Sequence, residues 1–165
     1  MSRSGITRVV AVVAVLMGTS ATAASADDGG TANRAFVDTA ATQDALASAT
    51  RLSADLFTFE YTDLKAHEAK FVRLTTGDFT REYGKLFNDV VAQAKARQMS
   101  MTSTVNAAAV RVLRDDRAEV LVFLDQRGTS GTTGDETAAN AMFTATIQRV
   151  DGEWKFADID LYEDE

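Results

Sequence analysis

Few side chains in this sequence could carry chemistry, and the best acid–base set lies mid-chain: Tyr61, Asp63, His67 and Tyr83. Asp63 and His67 are four positions apart, so on a helix they would share a face and interact. An apolar pocket that tunes a carboxyl beside a tyrosine donor can abstract and return a proton. Each residue also has a plainer reading. His67 stands among Lys65, Glu68 and Lys70 in a charged stretch and is expected at the solvated surface. Asp63 precedes a short helix and suits a cap or turn. Tyr83 falls on an apolar stripe, which suits a core residue with its hydroxyl satisfied. The plainer readings are preferred, so no catalytic residue is assigned.

A second cluster closes the chain, in RVDGEWKFADIDLYEDE. By the two-residue period of a strand, Trp154 and Asp158 fall on one face. Trp154 would fill the hollow between sheet and helices, and Asp158 would accept a hydrogen bond from a helix end. Alternatively both would touch a ligand or partner. The terminal acids read as an exposed tail. There is no Ser-His-Asp arrangement, phosphate loop or metal-ligand spacing. With one histidine and no cysteine, thiol catalysis and the usual metal sites drop out, and no cofactor is expected.

At 165 residues the chain is one domain's worth. Arg3 and Arg8 precede an uncharged stretch, Val9 to Ala26, which ends in Ala24-Ser25-Ala26. That reads as a signal peptide cleaved after Ala26, or as a retained signal anchor. Either way the domain is exported to the outer side of the membrane, and is secreted if cleaved. Beyond Ala26 there are 15 basic and 24 acidic residues, a net charge of −9, which argues against nucleic acid and anionic lipid as partners. The organisation expected is a signal or anchor over 1–26, a flexible linker over 27–41, and an exported domain over 42–165.

Within that domain the period changes half-way. Leu46, Ala49, Leu52, Leu56 and Phe57 recur at helical spacing over Thr42–Glu60, with Thr42 or Asp44 as cap. A short helix follows around Leu64, Phe71 and Leu74. Phe79, Tyr83, Leu86, Phe87, Val90, Val91 and Ala94 make the clearest amphipathic helix, Asp78–Met99, capped by Asp78. The second half reads as strands. The first, over 101–115, is bent near Asn106 to Ala109. The next holds the run Val120 to Leu124, expected to be buried on both faces. Gly128 to Ala138 reads as a flexible loop. Two alternating strands are joined at Asp151-Gly152 by a primed turn. Three helices before four antiparallel strands is an α+β pattern, with the first and third helices packed on one face of a curved sheet.

The order of elements and the ending V-D-G-x-W-x-F-x-D-I resemble the nuclear-transport-factor-2-like cone. The stretches LFTFEYTDLKAHEAKFVRLTTGDFTREYGKLFNDVV, AVRVLRDDRAEVLVFLDQ and FTATIQRVDGEWKFADID resemble the Mce-associated membrane proteins of actinobacteria, over about residues 45–160. The matching positions are Tyr61, Asp63, Phe79, Tyr83, Phe123 to Gln126, Trp154 and Asp158. The sequence departs from that family in an N-terminal segment that looks cleavable. The resemblance implies a non-catalytic accessory subunit of an Mce-type lipid or sterol import system, with Mce proteins and permease as partners. It supplies no catalytic residues.

Three functions can be told apart by features of the fold. An accessory subunit predicts an exposed apolar or aromatic patch away from the cone mouth. A lipid- or sterol-binding module predicts a dry apolar cavity. A cone-fold isomerase or cyclase predicts a buried carboxylate with a raised pKa.

Overall fold

The computed structural model describes residues 32–162. The signal or anchor over 1–26, the first part of the linker and the terminal acids 163–165 lie outside the described residues. Three helices are followed by four strands: α1 Thr39–Leu56, α2 Leu64–Leu74, α3 Gly77–Arg97, β1 Met99–Leu113, β2 Arg117–Ser130, β3 Glu136–Val150 and β4 Glu153–Leu161. A 3-10 turn, Tyr61–Asp63, leads into α2. The strands form one antiparallel meander in the order β1-β2-β3-β4. This is the helices-then-sheet order expected of the nuclear-transport-factor-2-like cone.

α1 buries Ala45, Ala49, Leu52 and Leu56, one apolar stripe whose alanines let the backbone approach the sheet. It begins at Thr39, three residues before the expected start, because Asp38 is the cap. The Asp38 carboxylate accepts from the Ala41 N–H at 3.0 Å and is paired with Arg34. The Ala41 amide, then Arg34, hold this carboxyl below its ordinary value. Asp38→Ala is expected to destabilise the domain, as the loss of an N-cap does. Chemical denaturation of the pair would read this as a lower midpoint at unchanged slope.

Asn33 and Arg34, counted above with the linker, are held along β1. The Asn33 amide donates to the Arg111 carbonyl at 2.9 Å, and its oxygen accepts from the Leu113 N–H at 2.9 Å. Arg34 N–H donates to the Leu113 carbonyl at 2.8 Å. At the other end of β1, Phe59 exchanges backbone hydrogen bonds with Met101. α1 therefore stops at Leu56, short of Glu60, since Thr58 and Phe59 are drawn out as extended chain.

Three further boundaries differ from expectation. α3 starts at Gly77, and its cap position, Thr76, makes no side-chain capping bond. Asp78 instead lies in the first turn, paired with Arg81, where its charge suits the helix dipole. The stretch from Gly128 to Ala138 is mostly strand, paired as Gly128↔Thr137 and Thr129↔Glu136. Only residues 131–135 turn, and they are tied to the end of α3: Gly131 N–H donates to the Gln98 carbonyl, and the Ser130 and Thr132 hydroxyls donate to the Arg97 carbonyl.

The bend in β1 is a pair of register shifts, between Val105 and Ala107 and between Val110 and Val112. Asp151 and Gly152 have φ of 52° and 82°, as a primed hairpin turn requires.

Candidate functional site

The face of the sheet beneath the helices carries Val120, Val122 and Leu124 from β2, Phe143, Ala145 and Ile147 from β3, and Trp154 and Phe156 from β4, all buried. Aromatic rings fill the space above it. Phe143 meets Phe57 edge-on at 5.6 Å, and Phe156 meets Phe79 at 5.5 Å. From Phe79 the series continues through Tyr83 at 4.8 Å, Phe71 at 5.5 Å and Phe87 at 5.4 Å to His67 at 5.0 Å. The concave side of the cone is thus packed with interlocked rings.

That packing decides what the mid-chain residues do. Tyr83 is half-buried in the stack, and burial pushes its phenol above the ordinary tyrosine value. No described residue hydrogen-bonds its hydroxyl, contrary to the expectation of a satisfied one. Asp63 is exposed and makes no capping bond, although it precedes α2 as expected. Tyr61 is half-buried and its N–H donates to the Ser100 hydroxyl at 3.3 Å. No hydrogen bond or ion pair among the described residues joins Asp63 to His67.

His67 is the clear correction. It was expected at the solvated surface and is 4% exposed, between Phe59 and Phe87. Charged neighbours along the sequence misled, because they occupy the other faces of α2. Burial, then Lys70, lowers its pKa to about 4, so it is neutral at pH 7.

Trp154 is buried as expected, and its indole closes a contact that the sequence pattern did not reveal. Nε1–H donates to the Asp44 carboxylate of α1 at 2.8 Å, and Arg149 Nη2 donates to the same oxygen at 2.7 Å. The Arg149 guanidinium also lies 4.5 Å from the Trp154 ring centre. The Trp154 hydrogen bond, then Arg149, hold the Asp44 carboxyl below its ordinary value.

Asp158 does not share this face. A bulge opposite the Thr146–Ile147 step moves Ala157 out of register, so Asp158 pairs with Thr146 while Phe156 pairs with Ile147. One extra residue reverses the alternation. Asp158 is exposed, and its carboxylate accepts from the Ile159 N–H at 2.9 Å, not from a helix end.

The outer face of the sheet holds what the sequence reading underrated. The run Val120 to Leu124 is buried on one face only, and Phe123 is 42% exposed on the other. Its cross-strand neighbours are Ala107 and Met142, and Leu121 and Ala109 lie on the next rung. A polar brace borders this apolar strip: Arg111 Nη1 donates to the Thr144 hydroxyl at 3.1 Å and to the Tyr162 hydroxyl at 2.9 Å. Among the described residues, no group of three or more His, Cys, Asp or Glu could hold a metal ion. No described helix is long and apolar enough to cross a membrane.

Comparison with known proteins agrees with this architecture. No protein-family model matches the chain. It is 39% identical over 80 residues to the outer membrane protein Rv1973 of Mycobacterium tuberculosis, covering 48% of this chain and 49% of that one. It is 38% identical over 79 residues to the uncharacterized protein Rv1362c of the same organism, covering 47% of this chain and 36% of that one. The chain thus spans about half the length of the first relative and about a third of the second. Among solved structures, a periplasmic fragment of TraM superposes with a TM-score of 0.62 at 16% identity, over 74% of this chain and 98% of that one. An IcmL-like type IV secretion system protein of Legionella pneumophila gives 0.63 at 9%, over 73% and 91%. CagV of Helicobacter pylori, a VirB8 homologue, gives 0.58 at 12%, over 73% and 98%. At these identities the solved structures establish a shared fold.

Proposed function

We propose that this chain is a non-catalytic accessory domain of the cell envelope that docks onto a protein partner through the outer face of its sheet. The observation that carries this reading is the division of its aromatic residues. The concave side, where a cone-fold enzyme would hold substrate, is packed with Phe57, Phe71, Phe79, Phe143 and Phe156. The outer side leaves Phe123 exposed in an apolar strip. Its acid–base candidates support the same reading. Asp63 is at the surface, His67 is neutral in a separate seam, and Tyr83 is held in its unionised form.

Placement in the envelope is supported by the name of one sequence relative, an outer membrane protein, and by those of structural neighbours, a periplasmic fragment and type IV secretion system proteins. The finer assignment is an accessory subunit of an Mce-type lipid or sterol import system, whose Mce proteins and permease supply the docking surface. It rests on the resemblance in sequence. In this reading the domain contributes binding area and takes no part in transport chemistry.

Purification of tagged full-length protein from its native envelope in mild detergent, followed by mass spectrometry, tests both levels. Mce and permease subunits are expected to co-purify. Phe123→Glu places a charge in the strip and is expected to abolish recovery while leaving the circular dichroism spectrum unchanged, because this side chain is outside the core. Recovery that survives Phe123→Glu would move the docking surface elsewhere. Recovery of other envelope proteins would keep the docking role and remove the Mce assignment.

A further inference from the structure

We propose that His67 is an acid-sensitive latch that holds α2 against α3 and releases it in acid, exposing the Phe59–Phe71–Phe87 seam. The proposal is independent of the docking role and rests on where the imidazole sits.

His67 is the one histidine in the chain, and it projects from α2 into a seam between two other elements. α3 presents the ring of Phe87, at 5.0 Å. The extended segment before the 3-10 turn presents the ring of Phe59, at 5.7 Å, and the Thr58 carbonyl. α2 itself contributes Lys70, a cation that opposes a second positive charge. No ion pair reaches His67 among the described residues. Nδ1 is fully buried and without a hydrogen-bond partner. A leucine or methionine would fill this place without leaving a buried nitrogen unpaired.

Protonation makes that nitrogen a charged donor in a seam lined by phenyl rings and one cation. The Thr58 carbonyl, which favours the charged form, is outweighed by burial. Water is the available solvent for the imidazolium, and it is reached by lifting α2 away. The element is suited to such a movement. It spans only 11 residues, makes no side-chain cap at its N-terminus, and is bounded by the 3-10 turn on one side.

The direction of the effect follows from linkage. The closed state binds its proton at about pH 4, and an open state binds it near 6.5. The latch therefore contributes fully above pH 6.5 and loses strength as the pH falls towards 4. At pH 5 the opening equilibrium of α2 is expected to be roughly 30-fold more favourable than at pH 7.5.

With one histidine, the imidazole signal of the intact protein can be followed by NMR without ambiguity. It is expected to titrate near pH 4, and α2 amide protection factors should fall about 30-fold between pH 7.5 and 5 while those of β2 and β3 hold. In His67→Leu, and in His67→Gln should the first variant fold poorly, the pH dependence of α2 protection should vanish. An imidazole that titrates near 6.5, a fall in protection spread evenly over the sheet, or the same pH dependence in a folded variant would each overturn the latch.

Discussion

Phe156→Ala is expected to be among the most destabilising single changes in this domain, at about 3–5 kcal/mol. Phe156 is fully buried, and its ring lies 5.5 Å from Phe79 and 6.4 Å from Phe143, so it joins the helical layer to the sheet. Its carbonyl also accepts from the Thr76 N–H at 2.9 Å, which fixes the α2–α3 corner over the end of the sheet. Truncation would leave a cavity bordered by rings, and rings packed on both sides relax poorly into a void. A domain of this size has roughly 5–15 kcal/mol in total, so the variant would be near the edge of folding. The comparison is Phe123→Ala. It removes the same atoms from the same sheet, but from a ring 42% exposed on the outer face, and is expected to cost less than about 1 kcal/mol. Urea titration of both variants would check this, with equal slopes and widely separated midpoints expected. Similar midpoints would mean that the outer face is as well packed as the inner one.

The helices, the four strands and the Asp151-Gly152 turn were legible because local rules and tertiary packing agree there. Ala49, Leu52 and Leu56 recur at helical spacing and are among the residues α1 buries. Legibility failed where a contact distant in sequence decided the outcome. His67 looked solvated from its neighbours Lys65, Glu68 and Lys70, yet helical period alone places it one turn from Phe71, on the buried side of α2. Asp158 was assigned to the Trp154 face by strict alternation, which one bulged residue reverses. Phe123 sat within five large apolar residues, a pattern shared by strands covered on two faces and strands covered on one. The helices of this fold cover one side, and the run itself carries no mark of that. Asp38 and Asp44 show the same limit at the helix start: both are acids near the cap position, and only Asp38 has the geometry to reach the Ala41 amide.

The candidate site follows the same division. Residues picked for acid–base chemistry were dispersed by the fold, since Asp63 faces solvent while His67 and Tyr83 belong to different stretches of one aromatic series. An aromatic series is visible in composition, as nine phenylalanines, but its continuity from Phe57 to His67 depends on three helices and two strands meeting.

Trp154→Ala is expected to cost a comparable ~3–5 kcal/mol, from a large buried side chain lost at the start of β4. Trp154→Phe separates the hydrogen bond to α1 from the packing. It keeps a smaller aromatic ring in the core, removes the indole N–H and leaves the Asp44 carboxylate with Arg149 alone, for a cost of about 1–3 kcal/mol. Asp44→Ala strands a buried indole donor as well as releasing Arg149, and is expected to cost about 1–3 kcal/mol. Because both changes break one hydrogen bond, the double variant should be less destabilised than the sum of the two, by roughly 1 kcal/mol. Additive values would mean that Trp154 acts through packing alone. The coupling has a pH signature. The Asp44 carboxyl is held below its ordinary value, so its contribution is present above the unfolded carboxylate range and is lost as the pH falls through the lowered value. His67 fails across higher pH, between about 6.5 and 4. Acid should therefore loosen α2 while Asp44 and Trp154 still hold α1 to the β3–β4 hairpin. Amide exchange resolved by element would read this as early loss of protection in α2 and late loss in α1.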